Sequence, residues 1–528
     1  MKTKATSVAN ARHETLLTSG LILISVTLLT KLVAFTKEIL IAAQFGVSET
    51  TDAFIVAFTI PNVLLFLLGI DLIKGTSTSI FSSYLANGKI REFSQVFSSI
   101  FNLTFIFTAA VLAIGIWQMP FIISLIAPTF SGTQLSATIG LARILLSILM
   151  FMGLANYVIA SLNALRKFFV PALATLTANL IVVFFLLFAS RQMGIYSIAW
   201  GYCTGFATSL IILLWYASKT SLRYEKRIIS NVSEVQSFIR KSSPLLILTT
   251  FSQVNVLVEK SIASRLDVGG ISALSFAHKL SQMAIDICIV PILTVLLPTL
   301  SGEFSLNQKE TVSRRISKGT EIICLILIPI SIIVALLSKE LVGVVFERGV
   351  FDNSDTLKTS SALIFYAIGL LPHGLYLFFI TNYLAMQETL SLGKIGAVAS
   401  CINIALNLIL IHYFEYLGIA LAWSISSFFY LIMLMIVSKK KLMLSNNQIR
   451  ATPYFRIFVS GVLMGVSIYF MKELAWLDAG LLRLLSITAV GLLLYLVFLL
   501  IFGIRQPREG LIYLKRRMKS FGDCFKNA

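Results

Sequence analysis

Eleven ionisable side chains lie within or at the ends of long apolar runs, and their spacing is helical. The cations are Lys31, Lys37, Lys74, Arg143, Lys260 and Lys279; the acids are Glu38, Asp52, Asp71, Glu259 and Asp286. Between residues 272 and 299, Ser275, His278, Lys279, Gln282 and Asp286 fall at i, i+3, i+4, i+7 and i+11, one continuous face of a helix. Ser252, Asn255 and Glu259 follow the same rule one run earlier. Near the start of the chain Thr27, Lys31 and Glu38 share a face, with Lys37 turned by about 100° from Glu38. Asp71, Lys74 and Thr78 make a shorter stripe. An ionised group at bilayer depth costs at least a few kcal/mol, so it is kept mainly where it meets a wet cavity or an opposite charge.

A polar chamber with surplus cations suits a ligand carrying phosphate or pyrophosphate, toward which lysine acts as a point charge. The plainer reading is that Lys31/Glu38, Lys74/Asp71 and Lys260/Glu259 neutralise each other, and that lysines near span ends reach back to the interface. Lys260 and Lys74 fit either reading. Lys37 and Lys279 favour ligand binding, because each stands in a stripe and wants an anionic partner. His278 reads as a polar lining residue, since no second metal ligand stands at suitable spacing, and His373 and His412 read as packing residues. Cys203, Cys288, Cys324 and Cys401 sit in apolar runs and Cys524 in a basic tail, with neither metal nor disulfide spacing. They read as apolar filler. No GxxxxGK[ST] loop, nucleophile–base set or paired carboxylates occur, so neither ATP hydrolysis nor another enzyme activity is expected. No cofactor is expected; Na+, H+ or the membrane potential is left open as the coupling agent.

The elements that carry these residues must cross a membrane. Apolar residues make up 57% of 528 and charged residues 13%, with a mean hydropathy of +0.89, far from soluble composition. The runs are continuous rather than alternating, which excludes a β-barrel. Fourteen spans are expected, about 16–44, 51–80, 95–118, 136–162, 168–189, 195–218, 242–263, 272–299, 319–338, 359–386, 393–412, 416–438, 456–472 and 483–504. The net charge of +19 does not call for nucleic acid, because Lys and Arg concentrate in the N-terminus, every second loop and the tail. That is the positive-inside pattern, and it puts both termini in the cytoplasm.

Internal similarity sets the architecture. IFSSYLANGKIREFSQV after span 2 resembles LLPTLSGEFSLNQKETV after span 8, and APTFSGTQLSATIGLARILL parallels ERGVFDNSDTLKTSSALIFY. GIYSIAW, ending at Trp200, answers LGIALAW, ending at Trp423. The period of about 220 residues is six spans, so the two copies insert in the same orientation. The expected fold is an all-α polytopic membrane protein: an N-terminal lobe (1–218), a cytoplasmic linker (219–241), a C-terminal lobe (242–438), and two extra helices with a basic tail (439–528). The charged stripes come from the first two helices of each lobe, where pseudo-symmetric lobes would face a central cleft. Pro61, Pro244, Pro291, Pro298 and Pro372 would kink their spans.

These residues carry a resemblance. TKLVAFTKEILIAAQFG, TDAFIVAFTIPNVL, GTSTSIFSSYL, SFAHKLSQMAIDICIVPILTVLLPTLS and VVFERGVFDNSDTLKTSSALIFYAIGL are similar to the MviN/MurJ lipid II flippases of the multidrug/oligosaccharidyl-lipid/polysaccharide exporter superfamily, over about residues 18–440. The resemblance implies alternating-access transfer of an undecaprenyl-pyrophosphate-linked glycan precursor, and a last helix pair that holds the lipid tail. The family's two first-helix arginines fall on Lys31 and Lys37, its TDAF acid on Asp52, and its eighth-helix arginine on Lys279. Lysine keeps the charge and loses the bidentate fork. The arginine that follows PN in the family has no counterpart at Leu64, Leu65 or Phe66, and an inserted turn brings in Lys74 as a substitute.

The leading reading is therefore a flippase for a lipid II-like, polyprenyl-pyrophosphate-linked saccharide, serving peptidoglycan or surface-polysaccharide synthesis in the bacterial inner membrane. Lys31, Lys37, Lys279 and Lys74 would bind pyrophosphate. Glu38, Asp52, Asp71, Asn255, Glu259, Lys260, Ser275, His278, Gln282 and Asp286 would set cavity polarity or coupling. Partners would be the glycan lipid, membrane lipids and other envelope-biosynthesis proteins. A capsule or exopolysaccharide repeat-unit flippase, a cation-coupled multidrug exporter and a non-transporting envelope scaffold remain as alternatives. Cations that equal or outnumber acids weigh against an exporter of cationic drugs.

Overall fold

The computed structural model describes residues 25–69, 77–78, 81–220, 222–225, 250–306, 308–442, 451–473 and 480–504, and among them there are helices and turns but no strand. Ten of the described helices are long and apolar enough to cross a membrane, and Gly270–Cys288 with Val290–Ser305, bent by 45°, makes an eleventh. The chain is an all-α, multi-pass membrane protein. It divides into two compact units, Met1–Ser272 with Arg348–Asp352, and Ala273–Glu347 with Asn353–Ala528.

The first unit contains α1 (25–45), α2 (Glu49–Leu67), α3 (Ile90–Ile126), α4 (Gly132–Ala164), α5 (Phe169–Phe188), α6 (Tyr196–Ser218) and α7 (250–263). Gly46, at φ 60°, ends α1, and Ser48 starts α2 by accepting the Thr51 N–H at 3.3 Å, with Glu49 and Asp52 in the first turn. The apolar run 51–80 is not one helix. It stops at Leu67, where Leu68 N–H bonds Leu64 O and Gly69, at φ 65°, bonds Phe66 O. A glycine in the left-handed region closes a helix in this way without steric cost, which the apolar run conceals. Asp71 and Lys74, expected on that helix, lie outside the described residues.

Aromatic packing holds one end of this unit. Phe81, Phe93, Phe97 and Tyr157 are buried together, with ring centroids 4.8–5.6 Å apart. The segment after α6 lies against the start of α3: Arg223 and Glu225 N–H donate to Ser94 and Ser98 hydroxyls at 3.3 and 2.9 Å, and Tyr224 Oη donates to Asn102 Oδ1 at 2.8 Å. These three α3 residues recur every fourth position, so one helix face receives the irregular segment 222–225.

The second unit takes up most of α8 (Gly270–Cys288, continued by Val290–Ser305), then α9 (Lys309–Leu336), α10 (Asn353–Ala385), α11 and α12 (the arms of Thr389–Leu442), α13 (Ala451–Glu473) and α14 (Leu481–Ile501). The bend in α8 falls beside Pro291, which has no N–H to give and crowds the preceding turn. Of the other expected kink sites, Pro61, Pro298 and Pro372 sit within helices, and Pro244 lies outside the described residues. The 54 residues from Thr389 to Leu442 would span about 80 Å as one rod. They fold back at Glu415 (φ 49°, ψ −132°), and Asn403 Nδ2 bonds Ser426 Oγ at 2.8 Å across the hairpin. Small residues let the last pair dock: a Cβ on Gly461 or Gly465 of α13 would meet Ile328 or Ile332 of α9 at 2.5–3.0 Å. Lys472 Nζ then reaches Leu336 O at 3.1 Å and Glu340 Oε1 at 3.0 Å.

Of the four cysteines described, Cys324 is buried, Cys203 and Cys288 are half-buried and Cys401 is exposed. Filler describes Cys324 best.

Candidate functional site

In the first unit α1 presents an exposed Lys31 and a buried Lys37, about two turns apart. Lys37 Nζ lies 3.7 Å from Glu38 Oε1 and 4.7 Å from the ring centre of Tyr202 on α6. Tyr202 belongs to a column of rings with Phe54, Phe58 and Phe206. The ammonium is thus held by a carboxylate on its own helix and the π face of another.

Asp52 is enclosed, at 2% exposure, and its two oxygens take the N–H groups of Gly269 and Ser272, each at 2.7 Å. These are orphan donors at the start of α8, so Asp52 caps a helix that begins at Gly270, far along the chain. Other bonds gather at the same end of the unit. Val350 N–H donates to Ala43 O at 2.8 Å, Gln44 Nε2 to Leu186 O at 2.7 Å, and the Thr129 hydroxyl to Ser264 O. Gly349, at φ 64°, lies so near the Ala43 carbonyl that a Cβ would collide with it, and a Cβ on Gly269 (φ 88°) would sit 2.6 Å from Val47. The α1–α2 turn is clasped by two glycine-bearing loops. On α7, Glu259 and Lys260 form an ion pair at 3.6 Å, and the enclosed Asn255 Oδ1 has no hydrogen-bond partner among the described residues.

In the second unit Ser275, His278, Lys279, Gln282 and Asp286 are all half-buried along α8, while Phe276, Ala277 and Ile285 beside them are buried. Gln282 Nε2 reaches Asp286 Oδ1 at 3.4 Å, and Lys279 Nζ stands 5.9 Å from the Phe276 ring centre. His278 meets Tyr366 and Trp423 edge-on at 5.2 and 5.6 Å. The opposite partner of Trp423 is His373, stacked at 4.8 Å, whose Nδ1 is 2.8 Å from Tyr376 Oη. His373 is buried by these rings, and His278 borders the same cluster.

Sequence reasoning missed Tyr202 over Lys37, the amide partners of Asp52, and the ring cluster around Trp423. Only the last had a signal, the Trp200/Trp423 repeat. Among the described residues no three His, Cys, Asp or Glu converge as a metal would require.

The arrangement has close relatives. Residues 41–489 match the family model described as lipid II flippase MurJ. A probable lipid II flippase MurJ of Buchnera aphidicola subsp. Baizongia pistaciae (strain Bp) is 28% identical over 457 residues, covering 85% of this chain and 88% of that protein. Another, from Vibrio cholerae serotype O1, is 25% identical over 509 residues, covering 93% and 97%. Among solved structures, lipid II flippase MurJ in an inward closed conformation matches with a TM-score of 0.78 at 24% identity, covering 91% of this chain and 98% of that one. An inward-facing MATE family multidrug transporter of the MOP superfamily matches at 0.70 and 12% identity, covering 80% and 98%. The helices that carry Asp52 and Lys279 lie within the matched region, Lys31 and Lys37 precede it, and the chain belongs to the lipid II flippase MurJ family.

Proposed function

We propose that this protein moves a polyprenyl-pyrophosphate-linked saccharide of the lipid II type across the bacterial cytoplasmic membrane by alternating access, for peptidoglycan synthesis. The observation that carries the reading is the family match over residues 41–489. In this reading Lys31, Lys37 and Lys279, with Lys74, neutralise the pyrophosphate, and both termini are cytoplasmic. Ser275, His278, Gln282 and Asp286, with Asn255, Glu259 and Lys260, give the polar surroundings that a charged headgroup needs at bilayer depth.

Lys37 is placed for such a role between Glu38 and Tyr202. An ion pair at 3.7 Å and a ring contact hold the ammonium without meeting all three of its N–H donors by carboxylate. A phosphate oxygen could take a remaining N–H donor. Asp52 serves the cycle differently. Its two amide bonds, with those of Ala43, Gln44 and Thr129, fasten one end of the first unit.

One feature favours a second reading. Lysine stands where the family has arginine, and loss of the bidentate fork suits a differently shaped headgroup, such as a capsule or exopolysaccharide repeat unit on the same carrier. The deciding experiment is rescue of a bacterium depleted of its own lipid II flippase, at matched membrane expression. Wild type is expected to rescue, and Lys37→Ala and Lys279→Ala to fail. Failure of well-expressed wild type would transfer the assignment to another carrier-linked glycan. Rescue by all three would sink the pyrophosphate-binding role of the lysines.

A further inference from the structure

One intramembrane cation has no part in that reading. Arg143 lies 11 residues beyond the first residue of α4, Gly132, hence about 16 Å along a helix of 33 residues and about 8 Å from its midpoint, inside a hydrocarbon core of about 30 Å. α4 is an enclosed helix: 67% of its membrane-length window is buried, against 28% for α3. Between Ala137 and Leu165 the one exposed residue is Arg143. Helix faces that meet lipid look different, as α3 shows with Phe105, Ile106, Trp117 and Phe121 exposed. Among the described residues no hydrogen bond or ion pair holds the guanidinium.

The edge on which Arg143 stands is polar. Gly140, Arg143 and Ser147 follow i, i+3, i+7, and α6 faces this stripe with Tyr196 and Cys203. The Tyr196 hydroxyl comes so near Gly140 that a Cβ there would lie 2.6 Å from the oxygen, and Ser147 Oγ is 3.1 Å from Cys203 Sγ. A permanently charged planar fork, flanked one turn away by a phenol, is thus held at a depth where an uncompensated charge costs several kcal/mol. Guanidinium geometry matches the oxygens of phosphate, and a phenol adds a donor of the same use.

We propose that Arg143 and Tyr196 form an anion site in the first unit that takes the phosphate group of a lipid. Two lipids carry that chemistry, the pyrophosphate-bearing polyprenyl carrier and an anionic phospholipid of the bilayer; the first assignment rests on the proposed function and the second does not. A carrier phosphate held here would be a station outside the three lysines. A phospholipid held here would cover the exposed Arg143 and neutralise its charge.

The test uses the full-length protein in detergent, with lipid retention counted by native mass spectrometry. The probes are undecaprenyl pyrophosphate, phosphatidylglycerol and, as a phosphate-free control, diacylglycerol. Arg143→Gln is expected to lower retention of at least one phosphate probe by roughly tenfold or more, as loss of a charge-assisted contact implies. Arg143→Lys should lose less, and diacylglycerol retention should not change. Loss confined to undecaprenyl pyrophosphate assigns the site to the carrier, and loss confined to phosphatidylglycerol assigns it to the bilayer. Unchanged retention of both phosphate probes overturns the proposal. If Arg143→Gln does not fold, the Arg143→Lys/Tyr196→Phe double variant carries the test, and unchanged retention there overturns it equally. Retention is read apart from translocation, so a failed rescue experiment and a failed anion site remain distinguishable.

Discussion

At the scale of single residues, Asp52 shows how a charge read from sequence changes meaning once its partners are known. In sequence it is an acid at the head of an apolar run, and a coupling or cavity role suggests itself. Its bonds are to two backbone amides at the start of α8, and both distances are 2.7 Å. An ionised acceptor for orphan helix N–H groups is a strong arrangement, because the bonds are charge-assisted and the helix dipole adds to them. Asp52→Ala leaves two enclosed donors without an acceptor and should cost about 1–3 kcal/mol for each. Asp52→Asn keeps one acceptor oxygen but turns an NH2 group toward an N–H, so it should fall between alanine and wild type. Denaturant unfolding of purified protein in one detergent gives the ranking, and equal stability of all three would show that the carboxylate does not cap α8. No local pattern could have disclosed this contact, since the amides lie 217 and 220 residues away.

At the scale of elements, most helices were legible and their breaks were not. Composition and run length locate the spans well, because continuous apolar stretches have little choice in lipid. The end of α2 at Leu67 and the α11–α12 turn at Glu415 depend on backbone angles that hydropathy does not record. The second fell where the loop was expected, the first within an expected span. Glycines carry the closest approaches. Gly349 has a left-handed φ of 64° and the Ala43 carbonyl against it, whereas Gly132 has φ 54° and nothing within 4 Å. Gly132→Ala should therefore cost only left-handed strain, about 1 kcal/mol, and Gly349→Ala should cost clearly more, since the loop must move off α1. The paired unfolding measurement isolates the collision from the strain, and equal losses would show that the loop yields freely. The GVLMG segment of α13 belongs to the same class of signal: its glycines at 461 and 465 admit Ile328 and Ile332 of α9. The spacing is visible in sequence, but nothing there names the partner helix.

At the scale of the molecule, the loops of the first unit sort by parity. Counting the expected spans, the turns at 45–48, 127–131, 189–195, 264–269 and 348–352 each follow an odd number of crossings. Four bonds join them or the helix ends beside them: Asp52 to Gly269, Ala43 to Val350, Gln44 to Leu186 and Thr129 to Ser264. The segments that follow an even number, 87–94 and 219–225, meet through Ser94 and Ser98. A missed or surplus crossing between any bonded pair would put its members on opposite faces of the bilayer, so the proposed topology requires each bonded pair to share a face. The counting includes α1, which carries Lys31, Lys37 and Glu38, and α7, of which 14 residues are described. Lys and Arg crowd the even set, and the loop from 118 to 136 has none, so the proposed topology, with both termini cytoplasmic, puts the even set on the cytoplasmic side. Single cysteines placed at 131 and 350 in a chain cleared of its own cysteines should then react with an impermeant maleimide added to intact spheroplasts. Cysteines at 89 and 222 should react only after the membrane is opened. Labelling of 131 but not 350 in intact cells would break the parity between the two halves and with it the parallel repeat. Reaction of 89 and 222 in intact cells would reverse the orientation, and the lysines proposed to meet pyrophosphate would then be approached from the other leaflet.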